Sequence, residues 1–322
     1  MAATSRGTDE QQFVNIFVGA ETGLLKGVNV AKKTWRNLNE VEAASREREI
    51  VSLCWADSQQ TQVCMGLRDR TVQVYDTQKS QFTESHSFLG GEGVFKGLYR
   101  QDNVFISCTE SGLLSVWDAD DVRTEINVGP QIHRMRQNQQ QPHLVATGGK
   151  DNDLKIWDLQ SGTTEPVFKA KNVKNDWLNL MVPIWVTDVA FLPDSDKIVT
   201  CTGHHQIRVY DPKSGQRRPV LDMEFDEYPF TSMGLRFGGN EVVVGNTHGK
   251  MALMDLRGKG HMVHCYRGFA GSIRCVECHP TLPLVASCGL DRYVRIHDLE
   301  EQTSGEQGNH QGPRSSLFHL FK

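Results

Sequence analysis

The sequence predicts an all-β chain folded as a seven-bladed β-propeller, and three observations carry that prediction. First, a unit recurs that closes on an apolar or aromatic residue followed by Asp: Val74-Tyr75-Asp76, Val116-Trp117-Asp118, Ile156-Trp157-Asp158, Val209-Tyr210-Asp211, Leu253-Met254-Asp255 and Ile296-His297-Asp298. The Asp-to-Asp spacings are 42, 40, 53, 44 and 43 residues, and a period near 40–45 is what a four-stranded blade needs. Second, the closing segments alternate. In Thr71-Val72-Gln73-Val74-Tyr75 the valines point one way and Thr71, Gln73 and Tyr75 the other, as a pleated strand requires. Third, no stretch sustains the i, i+3, i+4 apolar spacing of an amphipathic helix. The charged run Glu40 to Glu49 reads as a loop with room for a helical turn or two.

The blades fall near residues 13–30, 49–78, 90–120, 129–160, 179–213, 230–258 and 271–300. The first is the weakest copy. Glu21-Thr22-Gly23-Leu24-Leu25 repeats Glu110-Ser111-Gly112-Leu113-Leu114, which places Val28-Asn29 where Trp117-Asp118 stands later. Turns ahead of the closing strands carry Arg68-Asp69-Arg70, Ser111-Gly112, Asp151-Asn152 and Leu290-Asp291-Arg292. Asp and Asn bond their own backbone there, and Gly supplies positive φ. Asp69, Asp151 and Asp291 each lie six residues before the closing aromatic or His. A Gly-His pair at the start of each unit is missing, so the repeats are divergent.

With a net charge of −4 and a pI near 6.3, overall charge does not favour nucleic acid, although a local basic patch remains compatible with it. No apolar run approaches the roughly 18 residues of a membrane span, and Met1 to Gln12 has no apolar signal core. The eight cysteines are therefore expected as free thiols in a reducing compartment. Cys275-Val276-Glu277-Cys278-His279 has the spacing of a haem attachment site. On a strand, however, Cys275 and Cys278 face opposite sides. Gly91-Glu92-Gly93 precedes the expected strand Phe95 to Tyr99, whereas a phosphate loop must open a helix. His204-His205 occupies a turn where other units have Asp, with no third ligand at workable spacing. There is no Gly-x-Ser-x-Gly elbow or His-Glu-x-x-His pair. No catalytic, cofactor or metal site is expected.

One segment exceeds what the repeat requires. The spacing of 53 residues between Asp158 and Asp211 is about ten too long, and the excess sits around Lys169-Ala170-Lys171-Asn172-Val173-Lys174-Asn175-Asp176-Trp177. A basic loop carrying Trp on a rigid scaffold is a recognition element. Partner contact is therefore expected from Lys169, Lys171, Asn172, Lys174, Asn175, Asp176 and Trp177, with Arg217 and Arg218 as a second basic site. The alternative is a Trp177 tucked into the propeller edge and merely solvated lysines.

Glu21 to Asn29, Gly90 to Gly93, Ala170 to Leu178, Val182 to Trp185, Gln216 to Val220, Val244 to Gly249 and Ala286 to Arg292 go beyond what the repeat dictates. In these segments the chain resembles a family of nucleolar WD40 propellers that assist assembly of the large ribosomal subunit. The resemblance runs from about residue 13 to about 298. It implies a WD40 propeller that acts as a non-catalytic scaffold in pre-60S maturation and pre-rRNA processing. It implies partners among pre-60S particle proteins, a nuclear AAA-family ATPase and the RNA-exosome helicase, leaves direct contact with pre-rRNA open, and places the protein in the nucleus and nucleolus. A generic WD40 adaptor, such as a ubiquitin-ligase substrate receptor, and a propeller enzyme with a channel site are the competing readings.

The resemblance fails after His297. The family continues with two apolar strand-like segments and a Lys/Arg-rich tail, whereas this chain ends Leu317-Phe318-His319-Leu320-Phe321-Lys322. The expected organisation is a disordered stretch over 1–12, a propeller over 13–300 and a divergent, mostly disordered tail over 301–322. Val14 to Val18 and Leu24 to Val30 are the only two convincing strands of the first blade. Leu317–Phe321 is the one segment that could substitute, and it is short, so that blade is expected to be incompletely closed. Lower stability and weaker nucleolar retention than a relative with the usual ending are expected to follow.

Overall fold

A computed structural model describes residues 14–41, 45–101, 103–118, 122–300 and 318–321. They form seven sheets in a ring, antiparallel except for one strand pair in the first, and six of the seven have four strands. The expected blades are all present. Six of them extend past the closing Asp, or Asn29 in the first blade, into an outer strand that the repeat pattern did not mark: Thr34–Asn37, Gln81–Ser87, Val122–Asn127, Phe168–Lys169, Leu221–Glu224 and His261–Tyr266. These outer strands face solvent on one side and carry little apolar periodicity, which is why they escaped notice.

The recurring Asp builds the turn into that outer strand. The Oδ1 of Asp76 accepts from the backbone N–H groups of Gln78 and Lys79, both at 2.9 Å. Asp158 accepts from Gln160, Asp211 from Lys213, Asp255 from Arg257 and Asp298 from Glu300. Asn29 does the same in the first blade, accepting from Lys32 at 2.8 Å. A short side chain that bonds the backbone two or three residues ahead mimics a turn, and the Asp is repeated because the turn is.

Seven hydrophobic clusters fill the seven gaps between neighbouring blades. Alternation divides each strand between two gaps. Phe17 packs with Ile50 and Leu53 of the second blade, while Ile16 and Val18 pack with Cys275, Ala286 and Cys288 of the last. That last cluster closes the ring. Indoles reinforce two blades, Trp117 Nε1 donating to Ser107 Oγ at 3.0 Å and Trp157 Nε1 to Thr147 Oγ1 at 2.9 Å.

Closure of the first blade corrects one expectation. Phe318–Phe321 takes the innermost position, giving the order Phe318–Phe321, Ile16–Gly19, Leu25–Asn29, Thr34–Asn37. It runs parallel to Ile16–Gly19, in the register Ile16 to Phe318. The blade therefore has four strands, and the short C-terminal apolar segment is the substitute. Among the described residues the seventh sheet has three strands, Ile273–Cys278, Leu284–Gly289 and Val294–Asp298. The expectations for residues 1–12 and for 301–317 fall outside the described residues. Among the described residues of the run 40–49, one 3-10 turn, Arg46–Arg48, forms behind a Ser45 cap.

Candidate functional site

The widened spacing resolves into one long connector. The fourth blade's outer strand is only two residues, Phe168–Lys169, paired with Ile156 and Lys155. The chain then travels irregularly from Ala170 to Trp185 before entering the fifth blade's inner strand, Val186–Phe191. Its base is clamped. Ala170 is buried and its N–H donates to Leu154 O. Lys171 N donates to Arg217 O at 2.8 Å, Arg217 Nε returns a bond to Lys169 O at 2.6 Å, and Arg218 Nε donates to Asn172 O at 3.2 Å. The two basic sites expected from sequence are thus one. Arg217 and Arg218 come from the linker before the fifth blade's outer strand and lie against the loop.

The tip is built by Asp176. Its Oδ1 accepts from Leu178 N at 2.9 Å and Leu180 N at 2.8 Å. Its own N–H donates to Leu180 O, and Asn179 N donates back to Asp176 O. Asn179 adopts φ +63°, a left-handed conformation that Asn tolerates. Asn175 Nδ2 holds Asn179 O at 3.0 Å, and Asn172 Nδ2 ties the loop's two limbs together through Val182 O at 2.6 Å. These bonds hold four apolar side chains outward: Trp177 is 89% exposed, Leu178 56%, Leu180 59% and Met181 70%. Trp177 does not tuck into the propeller edge. Leu180 and Met181 lie beyond the segment singled out from sequence. Their signal was an apolar pair just past the Trp, and it is indistinguishable from the start of a core strand until burial is known.

The loop's far end is equally fixed. Trp185 Nε1 donates to His133 Nδ1 at 3.2 Å, its ring meets His133 and His204 edge-on, and Ile184 O accepts from Asp151 N. Gly203 makes this possible, since a Cβ there would lie 2.2 Å from the Trp185 ring. His204 and His205 sit in the turn between two strands, His205 at φ +54°. Among the described residues no group of three or more His, Cys, Asp or Glu is arranged to hold a metal ion. Cys275 and Cys278 share the strand Ile273–Cys278 but pack into different gaps, toward the first blade and the sixth respectively. Gly91 and Gly93 take positive φ in a connector between blades, whose carbonyls at Gly90 and Gly91 accept from Arg70.

Inner strands bring a charge cluster to the ring's centre that the sequence did not reveal. Asp188 is fully buried. Arg136 grips it through both Nε and Nη2, each at 3.1 Å, and Arg134 Nε lies 3.1 Å from its Oδ1. Val189 N and Met233 N also donate to the carboxylate, at 2.9 and 3.1 Å. Burial alone would raise this carboxyl's pKa, but the two guanidinium groups and the hydrogen bonds outweigh it and hold it below the usual carboxylate range. Glu277 shows the opposite balance. Burial pushes it up and Asp188 adds to the rise, while Arg136 and Arg134 offset only part of it. A carboxyl raised in the folded state costs stability where it is ionised, above its folded pKa, and costs nothing below its unfolded pKa of about 4.3. Glu277→Gln should therefore melt higher than wild type at pH 8, and the difference should vanish near pH 4. A gain that grows on acidification would contradict this.

Comparison with known proteins places this architecture. The model "WD domain, G-beta repeat" matches residues 183–211 and 260–298. A chain of a mitotic checkpoint complex crystal structure superposes with TM-score 0.71 over 92% of this chain and 95% of its own, at 14% identity. At that identity the likeness is one of fold. Human WD repeat-containing protein 74 is 52% identical over 292 residues, spanning 89% of this chain and 75% of its own length. This chain belongs to the WD repeat-containing protein 74 family. Ribosome biogenesis protein NSA1 of the yeast Meyerozyma guilliermondii is more distant, 34% identical over 194 residues, half of this chain and 48% of its own. The human family member matches most of the propeller, so the family likeness reaches well beyond the two repeats that the general WD-domain model detects. No helix among the described residues is long and apolar enough to cross a membrane.

Proposed function

We propose that this member of the WD repeat-containing protein 74 family is a non-catalytic scaffold in ribosome biogenesis. It supports pre-60S assembly and pre-rRNA processing in the nucleolus, and the 169–181 loop with Arg217 and Arg218 is its partner surface. The loop carries the reading. A connector that only had to span two blades would not hold Trp177, Leu178, Leu180 and Met181 in water on a hydrogen-bonded tip, since apolar surface favours burial by roughly 25 cal/mol per Å². A preorganised apolar tip lowers the ordering cost of docking. The yeast relatives, named as ribosome biogenesis proteins, supply the process. The central carboxylate Asp188 is bound by two arginines and two backbone N–H groups, which supports a structural rather than catalytic centre. On this reading the pre-60S proteins are the immediate partners. A nuclear AAA-family ATPase and the RNA-exosome helicase act on the assembled particle, with pre-rRNA as a further contact.

Affinity purification followed by gradient sedimentation tests the proposal. The tagged chain should co-sediment with pre-60S particles, and Trp177→Ala should weaken that association about 30-fold, the size of an interface hot spot, with an unchanged melting temperature. Unchanged sedimentation of the variant would count against the loop. Loss of folding would make Trp177 a core residue, and co-purification with a ubiquitin ligase in place of pre-ribosomes would favour the adaptor reading.

A further inference from the structure

We infer that the occupant of the 169–181 loop is an acidic, amphipathic protein segment, one that places large apolar side chains on Trp177, Leu178, Leu180 and Met181 and carboxylates against the bases of the limb that leads to them. This rests on the loop being the partner surface proposed above, and adds what kind of partner it takes. Two independent features set the chemistry. The first is the aliphatic character of the tip. Three of its four exposed apolar side chains are Leu or Met. Single-stranded RNA is gripped chiefly by runs of aromatic faces on which successive bases stack, and Trp177 is the one aromatic face on this tip. Leu and Met, by contrast, pack against the apolar face of a peptide, and Met adapts to irregular shapes.

Charge is the second feature. Lys169, Lys171 and Lys174 lie on the limb that leads to the tip, and Arg217 and Arg218 are bonded to the base of that limb; the one carboxylate over 169–181 is Asp176, whose Oδ1 already accepts from Leu178 and Leu180. The three lysines and Arg217 are exposed. Arg217 and Arg218 each use Nε on a loop carbonyl, which fixes the plane of the guanidinium and leaves its Nη edge to a partner. The whole chain carries net charge −4, so this local excess of base is a feature of the loop and not of the protein at large. A basic limb leading to an apolar tip matches a segment in which Asp or Glu flanks Leu, Phe or Trp. Such pairing steers encounter and fixes register, while the buried apolar contacts supply most of the affinity.

A photo-cross-link from the margin of the tip tests this in the intact chain. Met181→p-benzoylphenylalanine, expressed in cells and irradiated, should yield adducts that mass spectrometry maps to protein segments where Asp and Glu outnumber Lys and Arg and alternate with large apolar residues. The same variant carrying Lys171→Glu and Lys174→Glu should give at least about tenfold less adduct, with an unchanged melting temperature. Replacing acids in the mapped segment by Lys should restore the adduct. Adducts to nucleotides would make the surface an RNA site. Adducts to basic or uncharged segments, an undiminished yield from the charge-reversed chain, or no adduct at all would each overturn the inference. Sedimentation separates its failure from that of the reading beneath it. An acidic adduct without pre-60S co-sedimentation would refute the ribosomal role and leave the docking chemistry standing. Co-sedimentation without an acidic adduct would do the reverse.

Discussion

Asp188→Ala should destabilise the propeller by about 3–5 kcal/mol, the cost of breaking one side of a buried ion pair, and lower the melting temperature by roughly 4–7 °C at this chain length. The variant leaves Arg134 and Arg136 without their shared carboxylate and strands two backbone donors, Val189 N and Met233 N. These groups come from the inner strands of the fourth, fifth and sixth blades, so the loss is felt across three blades rather than within one. Its pH dependence has a definite sign. The folded carboxyl lies below its ordinary value, so its contribution is complete above the unfolded pKa of about 3.9 and is lost as pH falls toward the folded one. Guanidinium unfolding of wild type and Asp188→Asn should therefore differ fully at pH 6, and the difference should shrink as the pH falls below about 3.9. A gap that is small at pH 6, or constant with pH, would mean that the arginines find equivalent partners without Asp188.

Gly112→Ala should cost about 3 kcal/mol or more. Gly112 sits at φ +92°, where a Cβ brings a strain of roughly 1–2 kcal/mol. That Cβ would also stand 1.9 Å from Gly129 O and 2.5 Å from Gly129 C. Both atoms are backbone, so no side chain can swing aside. The connector they belong to is bonded back, Val128 N donating to Gly112 O at 2.9 Å, so relief would break the joint between the third and fourth blades. Gly162→Ala is the control. It shares a positive φ, +66°, but would meet nothing within 4 Å, so only the backbone strain remains. Urea titrations should rank Gly112→Ala well below Gly162→Ala in stability. Equal midpoints would show that the connector yields.

The repeat was legible because its chemistry is local. Asp76, Asp158, Asp211, Asp255 and Asp298 each bond the turn that follows, and each valine of Thr71–Asp76 alternates with its neighbours, so the Asp spacing recovers six blades. Glu110-Ser111-Gly112 also announced a positive-φ turn, and its echo in Glu21-Thr22-Gly23 identified the first blade; both glycines do take positive φ. The long connector was visible as a surplus of residues, and its lysines and Trp177 as a recognition composition.

What sequence could not supply was placement across the ring. Arg217 and Arg218 are 48 and 46 residues from the carbonyls they hold, so their union with Lys169 and Asn172 exists only once two outer strands stand side by side. Arg136, Asp188 and Met233 converge from three inner strands, and each looks like an ordinary residue of an alternating strand in its own segment. The first blade's closure was misjudged for the same reason. Phe318–Phe321 is a short apolar run separated from Ile16–Gly19 by nearly the whole chain, and its parallel pairing depends on the ring having brought both ends together. The sequence by itself determined the number of blades, their turns and the existence of an extra loop, because hydrogen bonds between near neighbours and a two-residue period dictate them. The tertiary structure alone decided which side chains of that loop stay in water, which bases gather beside them and how the ring closes, because burial and long-range contact are set by the packing of whole blades.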